Sequence, residues 1–254
     1  MILPLDAYEA PEGKTVLARA ATVLSQECMR AKGLELPPSL MAQNAAAPPP
    51  PSVIYGVINL ESAKTYGYRQ PPQESTGVPA DTQGGTDVPP DVVKEFTGDR
   101  AQGKIGCSGE SRKKLGADTV DSFSVFLQDL KSESRVAASR DSRVKAATAE
   151  WSSCMKDAGL EYAKPSDPAH DRSLLGRGLA TPEGAALPPP SPAEINAAVT
   201  DVGCKARSNY LVTVAVVTAA YQKQIIEKQA QRLQEGQKDW KQLVENANRV
   251  LMGT

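Results

Sequence analysis

The string Cys28-Met29-Arg30-Ala31-Lys32-Gly33-Leu34-Glu35 returns later in the chain as Cys154-Met155-Lys156-Asp157-Ala158-Gly159-Leu160-Glu161. Both copies read CMxxxGLE and both fall where a helical period of apolar residues stops, with glycine in the place of a helix C-terminal cap. Each copy is followed downstream by a Gly-Cys pair, Gly106-Cys107 and Gly203-Cys204, and these are the four cysteines of the chain. Four cysteines allow three pairings. The symmetry of the repeat favours Cys28–Cys107 and Cys154–Cys204. The competing use of four cysteines is a metal site, but there is no CxxC pair and the one histidine is His170. A zinc-type ligand set is therefore not expected, and neither is a cofactor.

Structural disulfides belong to an oxidising compartment. Met1-Ile2-Leu3-Pro4 has neither the basic start nor the long apolar stretch of a signal peptide, so an export signal is expected upstream of this sequence. The longest apolar run, Leu211 to Tyr221, is shorter than the roughly 18 residues of a membrane span. With 29 basic and 30 acidic residues the charge is nearly balanced. That argues against nucleic acid as a partner and against a general electrostatic pull to anionic membranes.

Helical periodicity covers most of the rest. The spacing of Val16, Leu17, Ala20, Val23, Leu24 and Ala31 predicts a helix from Glu12 to Gly33, and Pro37-Pro38 forbids its continuation. After Pro48-Pro49-Pro50-Pro51 comes a small island, Val53 to Tyr68, in which Asn59 is placed to cap a short helix over Leu60–Lys64. Gln70 to Pro90 reads as a loop. Short helices follow near Val92–Phe96 and Ser108–Leu115. Asp118 to Ala158 reads as one long helix or two nearly collinear ones, its first apolar stripe being Val120, Phe123, Phe126, Leu127 and Leu130. Lys164 to Pro190 is a second loop, with a turn of helix started by Thr181-Pro182-Glu183. Ser191-Pro192-Ala193-Glu194 has the form of a capping box with proline in the first turn. The helix it starts is expected to run to Gln234, Gly236 acting as a break, and Trp240, Leu243, Val244, Ala247 and Leu251 form a last amphipathic helix.

The expected fold is all-α: a long antiparallel helical hairpin with a packed N-terminal helix, two disulfides and long Pro/Gly-rich loops. Residues 1–117 are expected to carry the N-terminal helix, the island and the Pro-rich loops, and 118–254 the hairpin and the last helix, both halves sharing one core. Leu211 to Tyr221 is apolar nearly all round and needs cover on several sides. Its antiparallel counterpart near Asp141–Ala147 is small and charged, so the N-terminal helix is the expected cover.

Several short motifs carry a resemblance. Pro4-Leu5-Asp6-Ala7-Tyr8 before a helix and then CMxxxG, Tyr55-Gly56 followed by Ala63, Tyr66, Gly67 and Tyr68, and Gly106-Cys107 with Gly109-Glu110 are three of them. Trp151 three residues before Cys154 and Asp201 three before Cys204 are two more. In these the chain resembles a group of actinobacterial predicted secreted lipoproteins, over most of its length outside the Pro-rich loops. The resemblance implies a cleaved signal peptide and an acylated cysteine upstream, hence a lipid anchor on the extracellular side of the cytoplasmic membrane. Some members lie near export or antimicrobial-peptide resistance systems.

The residues themselves offer little chemistry. His170 sits in a Pro/Asp/Gly-rich loop, no GxSxG elbow is present, and Gly103, Gly106 and Gly109 follow no strand. Asp118/Asp121 and Asp129/Glu133 at helical spacing read as solvated helix faces. Tyr55, Tyr66 and Tyr68 suit either peptide or glycan recognition or the pinning of the island. Val214, Val217 and Tyr221 line either ordinary core or an apolar groove. The expected function is that of a non-catalytic envelope lipoprotein acting by binding or scaffolding, on a protein, peptide or cell-envelope component. The alternatives are an immunity or transporter-accessory protein that captures an antimicrobial peptide or small apolar ligand, and an enzyme with an unrecognised site.

Overall fold

The computed structural model describes residues 2–9, 13–37, 40, 55–69, 88–175 and 189–253. Their helices are α1 (Lys14–Ala31), α2 (Leu60–Tyr66), α3 (Pro90–Thr97), α4 (Cys107–Leu115), α5 (Asp118–Arg140), α6 (Ser142–Asp157), α7 (Arg172–Leu175), α8 (Pro192–Arg207), α9 (Tyr210–Lys228) and α10 (Ala230–Met252). Two two-residue strands, β1 (Gly98–Asp99) and β2 (Lys104–Ile105), pair antiparallel and were not expected from the sequence. The all-α class is as expected, and so are both disulfides, Cys28–Cys107 and Cys154–Cys204. The proline spacer 48–51, the loop expected over 70–87 and the helical turn expected at Thr181-Pro182-Glu183 lie outside the described residues.

The chain divides into two compact units, and not at residue 117 as expected. The first gathers Pro48–Glu74 and Glu133–Tyr221; the second gathers Ile2–Ala47, Ser75–Ser132 and Gln222–Thr254. Each has apolar clusters of its own. In the second unit Ala20 and Leu24 of α1 pack with Leu115, Val120, Leu243 and Ala247, and Val16, Leu17 and Trp240 close around them. Further along, Leu127 and Leu130 of α5 meet Ile225 and Leu233. In the first unit Ala138 and Val144 meet Val217, and Trp151 and Met155 meet Cys204. The descending residue numbers on the partner side are the signature of antiparallel pairing, within each unit.

Within its unit the apolar face of α1 packs on α4, α5 and α10. The long helix expected from 192 is three helices. Asn209 adopts φ 49°, a left-handed value that asparagine tolerates better than most residues, and separates α8 from α9. Gln229 separates α9 from α10. Gly236 is not a break: it is buried inside α10, because the Phe123 ring lies against it so closely that a Cβ would come within 2.1 Å of a ring carbon. At Asp141 the pair α5–α6 does break, and that aspartate caps α6 by accepting from the Arg143 amide at 3.0 Å.

Candidate functional site

The two CMxxxG copies end their helices with the same hydrogen bonds. Leu34 N donates to Met29 O at 2.9 Å and Gly33 N to Arg30 O at 2.9 Å; Leu160 N donates to Met155 O at 2.9 Å and Gly159 N to Lys156 O at 2.9 Å. This is the Schellman arrangement, and it needs a left-handed residue after the cap. Gly33 at φ +74° and Gly159 at φ +79° supply it. The motif's methionine is fully buried in both copies, against the following leucine. A further parallel went unread in the sequence: the serine four residues after each Gly-Cys returns its hydroxyl to the cysteine carbonyl. Ser111 Oγ donates to Cys107 O at 2.7 Å and Ser208 Oγ to Cys204 O at 2.9 Å. The spacing GCxxxS was its signal.

The copies differ in what stands three residues before the first cysteine. In the second unit it is Ser25, whose hydroxyl shares a 2.9 Å bond with Ser111. In the first unit it is Trp151, whose indole Nε1 donates to Asp201 Oδ1 at 2.8 Å. Asp201 Oδ2 accepts from Lys205 Nζ at 2.9 Å, one helical turn on, and Lys205 Nζ also donates to Val57 O at 3.0 Å. Asp201 is 0% and Lys205 1% exposed. Burial, which disfavours both charges, is the main force on the pair: it pushes Asp201 up and Lys205 down from their ordinary values.

The tyrosine–glycine island is bolted to α8 at both ends by buried charges. Gly56, at φ +69°, brings its backbone so close to Lys205 that a Cβ would stand 3.0 Å from Nζ. Gly67, at φ +59°, does the same against Glu194, with a Cβ 2.8 Å from Oε1. Glu194 is fully buried; its Oε1 accepts from Tyr68 N at 3.2 Å and its Oε2 lies 3.6 Å from Arg69 Nη2. The expected capping box is thus half formed: Ser191 Oγ accepts from Glu194 N at 3.1 Å, but the glutamate side chain serves the island instead. Tyr68 donates to Ala197 O at 3.2 Å, and burial holds its hydroxyl far above the usual tyrosine range. Val57, Ala63 and Tyr68 fill the space over Ala198, Val199 and Val202. Tyr210 is pushed up by burial and then by the charges of Asp201 and Tyr55. Tyr66 is half-buried.

Of the other sequence candidates, Val217 is core with Ala138 and Val144, and Val214 and Tyr221 are packed at its edge. Tyr221 Oη donates to Asp141 Oδ2 at 3.3 Å. His170 is exposed, its Nδ1 bonded to Ser166 O of its own loop at 2.8 Å. Asp121 pairs with Arg112. The Pro4-Leu5-Asp6-Ala7-Tyr8 motif anchors the start of the second unit: Leu5 is fully buried, its amide donates to Gln222 Oε1 at 2.9 Å, and Lys131 Nζ reaches Asp6 at 2.7 Å and Glu9 at 2.6 Å.

One surface of the first unit stays open. Val212 is 63% and Val216 59% exposed, one turn apart on α9, with exposed Ala220 a turn further. Beside them a cleft of about 420 Å³ runs between α6 and α9, floored by Ala147 and Val217 and rimmed by Arg143, Glu150 and Asn209. Arg143 is held at that rim by Asp141, through Nε and Nη2 at 2.9 Å each. Among the described residues no cluster of side chains is fit to hold a metal ion, and no helix is long and apolar enough to cross a membrane. No protein-family model matches the chain, and neither does any curated protein or solved structure.

Proposed function

We infer that this chain is a non-catalytic protein of the cell envelope, outside the cytoplasm, that works by binding. Its recognition face is the Val212–Val216–Ala220 strip of α9 with the cleft beside it. The observation that carries the reading is the contrast within one unit between the charges and the apolar residues. The ionisable side chains that are most deeply buried, Asp201, Lys205 and Glu194, are engaged with Trp151, Val57 and Tyr68 and hold the island down. What is offered to solvent instead is a run of valines beside a cleft of ligand size. An amphipathic peptide or an acyl chain is the ligand class that an apolar floor with a polar rim suits. The two disulfides support the location, because such bonds persist where thiols are not kept reduced. A lipid anchor upstream would tether the binding face outside the membrane.

The test is a residue-resolved NMR titration of the disulfide-bonded protein with two probes, a model amphipathic helical peptide and a short-chain alkyl glucoside. At least one should give saturable shifts centred on 143–150 and 209–217. Saturable shifts centred elsewhere, or none with either probe, would reject this face. Robust turnover of an ester, peptide or glycoside panel by the wild-type protein would reject the non-catalytic part, and loss of that turnover in His170→Ala would show where the enzyme lies.

A further inference from the structure

The charges around the α9 strip are laid out with a symmetry of their own. Arg143 and Glu150 on the rim of the cleft are seven positions apart on α6, two helical turns and about 10 Å along one face. In the first unit α6 runs antiparallel to its neighbours, with Val144 against Val217 and Trp151 against Cys204. Arg143 therefore marks the end of the cleft nearer Val216, and Glu150 the end nearer Asn209. Between the two charges stands Ala146, exposed and too small to keep another helix away. On α9 the strip between the same two ends is Val212 and Val216, one turn apart and both exposed. Read along its length, the face is positive, then small and apolar, then negative.

Neither charge is used up within the unit. Asp141 takes Arg143 by Nε and Nη2, which aims the guanidinium and leaves Nη1 to donate elsewhere, and the Arg143 side chain stays 59% exposed. Glu150 is exposed and has no partner among the described residues. A face with opposite charges at its ends and an apolar middle is its own complement. A two-fold axis lying across it, at right angles to the helices and midway between Val212 and Val216, sets Val212 of one copy on Val216 of the second and Arg143 on Glu150, each contact made twice. Ala146 meets Ala146 near the axis and lets the helices come close. An alkyl chain lying in the cleft would leave the two valines in solvent, because they stand beside the cleft at about 60% exposure; a facing pair of helices covers both.

We propose that this face pairs with the same face of a second copy, α6 on α6 and α9 on α9, each antiparallel, so that two copies complete a four-helix bundle. The proposal rests on the reading of this strip as the recognition face and names what covers it when no ligand does: a ligand has to displace the second copy. Two exposed valines a side do not fill the roughly 800 Å² per partner of a standard interface, so the pair is weak and parts readily. The reciprocal charges fix its register and direction.

Sedimentation equilibrium of the full disulfide-bonded chain, from micromolar concentration to about 1 mM and with no ligand added, reads the pair. The wild type should move toward twice the monomer mass across this range. Arg143→Glu alone should associate at least ten-fold more weakly, because it sets two carboxylates against each other at both contacts. Glu150→Arg alone should do the same by opposing two guanidinium groups. An equimolar mixture of the two variants should recover association close to that of the wild type, since every contact between them is again of opposite charge. A misfolded variant or unspecific apolar adhesion cannot give that recovery. A wild type still monomeric at about 1 mM would overturn the proposal. So would single variants that associate as the wild type does, or a mixture no more associated than its components. Pairing together with no saturable binding of the peptide or the alkyl glucoside would support the pair and reject the ligand; saturable binding by a protein that stays monomeric would reject the pair and keep the ligand.

Discussion

Removing Asp201 should be among the costliest single changes in the first unit. Asp201→Ala leaves the Lys205 ammonium, 1% exposed, with the Val57 carbonyl as its hydrogen-bond acceptor and no counter-charge, and it leaves the Trp151 indole N–H without its 2.8 Å acceptor. Breaking a buried pair from one side costs about 3–5 kcal/mol, because the surviving charge stays buried. Lys205→Met strands the carboxylate and should cost about the same. The double variant Asp201→Leu/Lys205→Met strands no charge. Its remaining defects are the unpaired indole and the Val57 carbonyl that has lost its Lys205 donor, about 1–3 kcal/mol each. The singles together should therefore exceed the double by roughly 4 kcal/mol. Urea unfolding at neutral pH with disulfides intact measures this, read from Trp151 fluorescence in a Trp240→Phe background so that the signal reports the first unit. A double variant as unstable as the two singles summed would refute the argument, since it would mean that packing at these positions matters and their charges do not. So would an Asp201→Ala cost below about 1 kcal/mol, which a solvated pair would give.

Other consequences are quickly checked. Tyr162 is pushed up to about 12, first by burial and then by the 2.8 Å bond it donates to Asp171. A raised folded value means stability that is complete below the ordinary tyrosine range near 10 and is lost as pH rises from there to about 12. Ultraviolet difference titration should show a late-ionising component in this window that loses one tyrosine in Tyr162→Phe; an unchanged late component in that variant would contradict it. Gly236→Ala should lower the melting temperature although alanine is the better helix former by about 1 kcal/mol, because its methyl would collide with Phe123. Phe123→Leu in the same chain should recover part of the loss, and a stabilised Gly236→Ala single would show that the ring moves aside freely. Non-reducing peptide mapping should return Cys28–Cys107 and Cys154–Cys204, each removal costing about 2–5 kcal/mol in urea unfolding, whereas a crossed linkage would break the correspondence between the two repeats.

Local signals were the legible part of this sequence. Helix ends at Gly33 and Gly159, the Asn59 cap and the Ser191 start all depend on residues within a few positions of one another, and each lies where its chemistry places it. The pairing of cysteines was readable only because the chain repeats itself, which turned a long-range question into a comparison of two short strings. What sequence could not convey was the use of long-range partners. Glu194 has the spacing of a capping residue, and nothing near it in sequence says that a glycine 127 positions earlier will lie against its carboxylate. Gly236 looks like a helix breaker until the Phe123 ring is seen to need its missing side chain. The apolar stretch from Leu211 to Tyr221 reads in the sequence as needing cover on several sides. The structure buries Val217 with small residues of α5 and α6 and leaves Val212 and Val216 in solvent. Periodicity cannot separate those outcomes, because both faces of that helix are apolar.

The most direct measurement of the functional claim compares two neighbouring valines. Val217 is 1% and Val216 59% exposed, on adjacent positions of α9. Val217→Asp places an unpaired carboxylate in the core and should cost about 3 kcal/mol or more, enough to unfold the first unit or leave it barely folded. Val216→Asp should keep the wild-type melting temperature to within a degree or two of experimental spread, on the order of 0.5 kcal/mol for an exposed site, and abolish the saturable binding of the amphipathic peptide or alkyl glucoside. A Val216→Asp protein that melts early would show the strip to be structural. One that melts normally and binds the probe as the wild type does would contradict the assignment of this face as the place where the protein binds.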